Sequence, residues 1–227
     1  MIRGIQKASF IDWPDKVCTV IFLERCNFRC PFCQNPELIR NPEELQEIPI
    51  DELLAFLEDR KGWIDGVCIT GGEPTIHSKL PELVDKIKQL GFGVKLDTNG
   101  SNPEMLERLM PKLDYIAMDI KGPLERYQEI TRSQIDPALI RKSVELIRNS
   151  GKPYEFRTTV LPKLHSKEDL LKIAEWLRGS ERYVLQQFRP EKTLDPAFQQ
   201  EKSFTKEELM AFKKMLEPYF KFVEVRG

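Results

Sequence analysis

The chain has 227 residues, enough for one large domain or two small ones with a substantial buried core. Its 35 basic and 36 acidic residues leave a formal charge of −1 with no basic block, so nothing supports nucleic acid as a main partner. No apolar run approaches a membrane span and Met1-Ile2-Arg3-Gly4 does not open a signal peptide, so the expected setting is cytoplasmic, with no membrane partner and with the five cysteines reduced or metal-bound.

Ile2, Ile5 and Phe10 suggest strand pieces, and Asp12-Trp13-Pro14-Asp15 reads as a turn into a buried strand, Val17 to Leu23. Then comes Cys26-Asn27-Phe28-Arg29-Cys30-Pro31-Phe32-Cys33, followed by an irregular excursion with prolines at 36, 42 and 49. Helical spacing of Leu53, Leu54, Phe56 and Leu57 predicts a helix over about 50–61. Short apolar runs follow at 66–70, 93–97, 115–119, 154–160 and 182–188. Predicted helices alternate with them at about 80–90, 103–113, 137–149, 167–177 and 206–216, and a last apolar stretch runs from 220 to 225.

With the cysteine strand included, this makes six strand–helix units, which predicts an α/β fold with a parallel sheet. Six units fall short of the eight that close a full barrel, so the expected shape is a partial, open (β/α)6 TIM-like barrel, with an open doubly wound sheet as the alternative. Residues 1–227 are expected to form a single domain, with a core at about 15–190 and an added carboxyl-terminal helix and strand at 204–226.

Loops at the carboxyl ends of strands are where α/β folds keep their chemistry. Cys26, Cys30 and Cys33 leave such a strand and can converge on one soft centre, either zinc or an iron–sulfur cluster. Zinc would need a fourth ligand from Cys18, Cys68, His77 or His165. The next strand ends in Thr70-Gly71-Gly72-Glu73-Pro74, where two glycines permit close backbone approach and a carboxylate can accept from an ammonium group. Asp97-Thr98-Asn99-Gly100 and Asp119-Ile120-Lys121 end the following two. Taken alone, each of these motifs also reads as an ordinary turn, cap or surface pair. Arg157 and Arg189, on or beyond late strands, could pair with a carboxylate or other acidic group of a ligand, and read equally well as solvated surface arginines.

The cysteine spacing, the Gly-Gly-Glu-Pro and the Asp-Thr-Asn-Gly, in this order, resemble the radical S-adenosylmethionine (SAM) superfamily, over a span from Phe10 to about Pro190. Asp12-Trp13-Pro14, Cys33-Gln34-Asn35-Pro36-Glu37 and Lys95-Leu96-Asp97-Thr98-Asn99-Gly100 look most like the anaerobic ribonucleoside-triphosphate reductase activating proteins. Pyruvate formate-lyase activating enzymes look similar but less so. The resemblance implies a 4Fe–4S cluster on Cys26, Cys30 and Cys33. It also implies SAM held by Gly71, Gly72 and Glu73, and a monovalent cation with the SAM carboxylate near Asp97, Thr98, Asp119 and Lys121. The implied partners are a glycyl radical enzyme as protein substrate and a one-electron donor such as flavodoxin or ferredoxin.

Departures accompany the likeness. Activases often have glycine where this chain has Asp15 and Arg25, a histidine where it has Gln34, and another histidine near Gln186-Gln187. Two rival readings follow: a radical SAM enzyme with a small substrate, similar to the 7-carboxy-7-deazaguanine synthases, and a non-enzymatic zinc-stapled interaction module. Neither His77 nor His165 is assigned a role, and Cys18 and Cys68 are expected to pack in the core.

Overall fold

The computed structural model describes all 227 residues. Eight strands form one sheet in the order of the chain: β1 (Ile2–Ser9), β2 (Cys18–Leu23), β3 (Gly66–Gly71), β4 (Gly93–Thr98), β5 (Tyr115–Asp119), β6 (Tyr154–Val160), β7 (Arg182–Gln187) and β8 (Phe222–Arg226). Only the β1–β2 pair is antiparallel. The unbroken order leaves no switch point, which excludes the doubly wound alternative. The sheet does not close, so the architecture is the open partial barrel.

Six crossovers join the parallel strands, each carrying at least one helix: α1 (Glu37–Arg40) and α2 (Ile50–Glu58), α3 (Leu80–Gln89), α4 (Pro103–Leu109), α5 (Tyr127–Thr131) and α6 (Pro137–Arg148), α7 (Lys167–Trp176), and α8 (Lys206–Leu216). Their apolar stripes recur at helical spacing, as in Leu80, Leu83, Val84 and Ile87 of α3, and pack on the outer face of the sheet. Capping boxes start α7 (Ser166 with Asp169) and α8 (Thr205 with Glu208).

Three expectations change. The helix expected over 50–61 stops at Glu58, and the one expected over 103–113 stops at Leu109 and continues as a 3-10 turn, Met110–Lys112. Helices α1 and α5, of four and five residues, are too short to leave a periodic trace and have no counterpart in the sequence reading. The strand expected within 204–226 is β8, which pairs parallel to β7 and brings the parallel strands to seven.

Period-two alternation sorts side chains between the two faces. Ile21, Leu23, Val67, Ile69, Val94, Leu96, Ile116 and Met118 join the large core, while Cys18, Val20, Cys68 and Tyr115 form a second cluster with Trp13. Trp13 packs against Gly66 and Gly93, where an added Cβ would lie 2.7 Å and 3.1 Å from its ring. The same alternation groups Lys95 with Asp97 on β4, Glu155 with Arg157 on β6, and Glu224 with Arg226 on β8. Ion pairs then link these three strands. The barrel interior therefore changes from apolar at β2–β3 to charged at β4–β8.

Candidate active site at the strand ends

The loop after β2 is pinned along its length. Arg29 N donates to Thr131 O of α5 (2.8 Å), Asp195 N donates to Pro31 O (2.9 Å), and Asn35 Nδ2 donates to Gly71 O (3.2 Å). Phe28 packs edge-on against Tyr127 with ring centroids 6.3 Å apart. Cys26, Cys30 and Cys33 are free thiols and line one cavity of about 300 Å³. Burial pushes the thiols of Cys26 and Cys30 up to about 12.

Gly71, Gly72 and Glu73 line the same cavity, but the glycines serve a close approach within the chain. Gly72 N donates to Leu23 O (2.8 Å) and Glu73 N to Arg25 O (2.8 Å). A Cβ on Gly72 would fall 1.7 Å from that Arg25 oxygen, and Gly71 has φ +122°. Besides lining the cavity, the two glycines thus admit Leu23 and Arg25, at and just beyond the end of β2. Asp15 and Arg25 stand where activases often have glycine, and both have left-handed backbone, φ 61° and 65°, the conformation glycine adopts without strain.

Glu73 is 1% exposed. Its Oε1 accepts from Thr75 N (3.1 Å), Thr75 Oγ1 (2.6 Å) and Thr98 Oγ1 (2.6 Å), and its Oε2 accepts from Asn99 N (2.6 Å). Burial outweighs these bonds and raises its carboxyl above the usual glutamate range. With one protein donor, Oε2 keeps room for another.

Asp97, Thr98, Asp119, Lys121 and Arg157 are brought together on the wall of the same cavity. Arg157 bridges the two aspartates, Nη1 to Asp97 Oδ2 and Nε to Asp119 Oδ1, both 2.9 Å. Lys95, fully buried, pairs with Asp97 Oδ1, and Lys121 Nζ lies 3.1 Å from Asp119 Oδ2. Burial disfavours charge on both aspartates, yet Arg157 and the lysines overcome it and hold both carboxyls below their usual range. Arg189 stands apart from this wall and lines an adjoining cleft, about 720 Å³, that shares Asp12, Gln34, Arg157, Thr159 and Gln186 with the cavity.

The residues that could have completed a zinc site have other partners. His77 Nε2 is 2.7 Å from Glu24 O, and His165 Nε2 is 2.9 Å from Lys121 O. Cys18 packs in the barrel interior, whereas Cys68 does more than pack, its Sγ lying 3.5 Å from Asp97 Oδ1. The sequence reading also passed over Asn99 and Asn27. Asn99 Nδ2 donates to Asn27 Oδ1 (3.0 Å) and lies 3.7 Å from Cys26 Sγ, tying the loop after β4 to the thiol loop. The only available signal was the position of Asn99 inside the Asp-Thr-Asn-Gly run.

An open α/β barrel with three thiols and a polar, charge-paired wall at its strand ends defines the class. The chain belongs to the radical SAM superfamily, whose family model matches residues 20–177. A Methanocaldococcus jannaschii protein, provisionally named as a glycyl-radical enzyme activating enzyme, is 32% identical over all of this chain and 95% of its own length. The Listeria monocytogenes pyruvate formate-lyase-activating enzyme is 27% identical over 78% of this chain and 75% of its own. Among solved structures, Streptococcus suis SuiB bound to S-adenosylmethionine superposes with a TM-score of 0.67 at 14% identity, covering 90% of this chain and 51% of that one. This likeness concerns the fold, and the chain spans about half of SuiB.

The protein is thus a radical SAM enzyme, and its cofactors are a 4Fe–4S cluster and SAM. The donor set fits them: three free soft thiols on one anchored loop, a buried carboxylate with an acceptor position to spare, and an arginine lining the same cavity.

Proposed function

We propose that this protein is a glycyl-radical-enzyme activase, with Cys26, Cys30 and Cys33 holding the cluster. When bound, cluster and SAM together supply, by one-electron reduction, a 5′-deoxyadenosyl radical able to take a hydrogen atom from a glycine of a partner enzyme. Glu73 Oε2 accepts from the ammonium of SAM, and the new cation offsets the charge that burial penalises there. Gly71 and Gly72 hold Glu73 in place through β2, and Thr98 and Asn99 fix its orientation. Arg157 and Lys121 attract the carboxylate of SAM, with Asp97 and Asp119 holding both cations in position.

The observation that carries the reading is that the three thiols and Glu73, Asp97, Asp119 and Arg157 line one cavity, although they come from five different strands and the loops that follow them. A protein substrate is supported by the adjoining cleft, which shares residues with the cavity and is lined by the segment before β2 and by residues of β7 and β8, and by the similarity to activating enzymes. An anaerobic ribonucleotide reductase is the proposed partner, with a flavodoxin or ferredoxin as electron donor.

The test is anaerobic reconstitution with iron and sulfide, reduction, and assay of 5′-deoxyadenosine after SAM is added, with Cys30→Ala as control. The partner is then supplied and its glycyl radical read by electron paramagnetic resonance. Product that requires Cys30, together with a radical on the partner, is the expected result. Product without a radical on any glycyl-radical enzyme would move the reading to a small substrate.

A further inference from the structure

The likeness to activases implies a monovalent cation beside Asp97, Thr98 and Asp119, and in this chain those groups already have partners. Asp97 faces Lys95 on Oδ1 and Arg157 on Oδ2. Asp119 faces Arg157 on Oδ1 and Lys121 on Oδ2. Each of the four carboxylate oxygens therefore meets a protein cation. Thr98 directs its hydroxyl proton to Glu73 (2.6 Å) and accepts from Gly100 N (3.1 Å).

The charge count points the same way. Within the ion-paired group itself, Lys95, Lys121 and Arg157 stand against Asp97 and Asp119, an excess of one positive charge; Glu155 is paired chiefly with Arg226, and Glu73 lies beyond Thr98, accepting from Thr75, Thr98 and Asn99. An alkali ion would raise that excess in a poorly hydrated site and would compete with a guanidinium already seated between the two carboxylates. The group that remains available is an anion receptor. Arg157 is 8% exposed and lines the cavity, its Nε and Nη1 are engaged, and its Nη2 makes no hydrogen bond within the chain.

We propose that Arg157 stands in place of the alkali cation: its guanidinium neutralises Asp97 and Asp119 together and presents Nη2 to the carboxylate of SAM, so that this enzyme requires neither K⁺ nor Na⁺. The choice of ligand rests on the SAM site proposed above. Occupancy of the carboxylate pair does not.

The first measurement therefore uses protein without cluster or SAM: thermal melting in choline chloride, with KCl or NaCl exchanged in at constant ionic strength. The expected result is a flat midpoint, and a saturable rise would overturn the proposal. In Arg157→Gln, which frees one oxygen on each aspartate, a saturable K⁺-dependent rise is expected. A well-folded variant with no such rise would also overturn it, because the pair would then have no cation position for Arg157 to fill. With the reduced holoenzyme, 5′-deoxyadenosine should form at rates within about twofold in choline and in K⁺. Stimulation of tenfold or more by K⁺ counts against the proposal. Absence of product in every salt would remove the SAM reading, and the melting titration would still decide whether Arg157 excludes the cation.

Discussion

Arg226 donates from Nη1 and Nη2 to the two carboxylate oxygens of Glu155, 2.8 Å each, fastening the edge strand β8 into the barrel interior. Glu155 is fully buried, and its other contacts are weaker: Tyr115 Oη at 3.2 Å and Arg157 Nη1 at 3.8 Å. Removing one partner of a buried pair leaves an uncompensated charge. Arg226→Ala should therefore cost about 3 kcal/mol of stability by urea denaturation. Arg226→Lys should recover part of this, since an ammonium restores the charge but not the two-pronged geometry.

Gly72 sets the distance between the ends of β2 and β3. Gly72→Ala would place Cβ 1.7 Å from the carbonyl oxygen of Arg25, a backbone atom that cannot move without breaking its bond from Glu73 N. A loss of about 3 kcal/mol or more is expected, at the upper end of overpacking costs. Gly4→Ala is the control, since its Cβ would meet Phe22 at 3.5 Å, ordinary contact. Equal melting temperatures for the two variants would contradict this account.

Glu73→Gln keeps the shape of the side chain but replaces an acceptor with an NH2 donor. All four groups around it are donors, so the new N–H bonds would face Asn99 N or the two threonines. Stability should fall by about 1–3 kcal/mol. SAM affinity, measured by equilibrium binding to reconstituted protein, should fall at least tenfold. A variant with native stability and affinity would remove Glu73 from the site.

Acid should find Asp119. Burial opposes its ionisation, but Arg157 and Lys121 prevail and hold the carboxyl at about 2 instead of the ordinary 3.8. The unfolded chain then binds this proton more readily than the native state. Asp119 contributes stability that is complete above about pH 5 and is lost as pH falls from about 4 to 2. The stability gap between the wild-type protein and Asp119→Asn should be constant at neutral pH and shrink across that interval. A gap that persists unchanged to pH 2 would show that the ion pairs of Asp119 do not couple to folding.

Much of the frame was legible because it is local. β5, β6 and α8 have the bounds that alternation and helical spacing predict, and the three thiols had to share one loop because only three and two residues separate them. Lys95 and Asp97 were bound to share a face, being two residues apart on a strand. The amino-acid order thus determined an open α/β barrel and the strand ends that would carry its polar residues.

Only the tertiary structure decided how those residues pair. Arg157 meets Asp119 across 38 residues and Asp97 across 60, and Glu155 meets Arg226 across 71. Periodicity tells which face a side chain takes, but not which charge lies across from it; that depends on strand order, register and the curvature of the sheet. For the same reason Glu73, legible as an acidic residue after two glycines, became a buried acceptor for Thr98 and Asn99 only once β3 and β4 lay side by side. Lys121 and Arg157 read equally well as solvated surface charge until a buried interior leaves them little water and carboxylates to answer their charge.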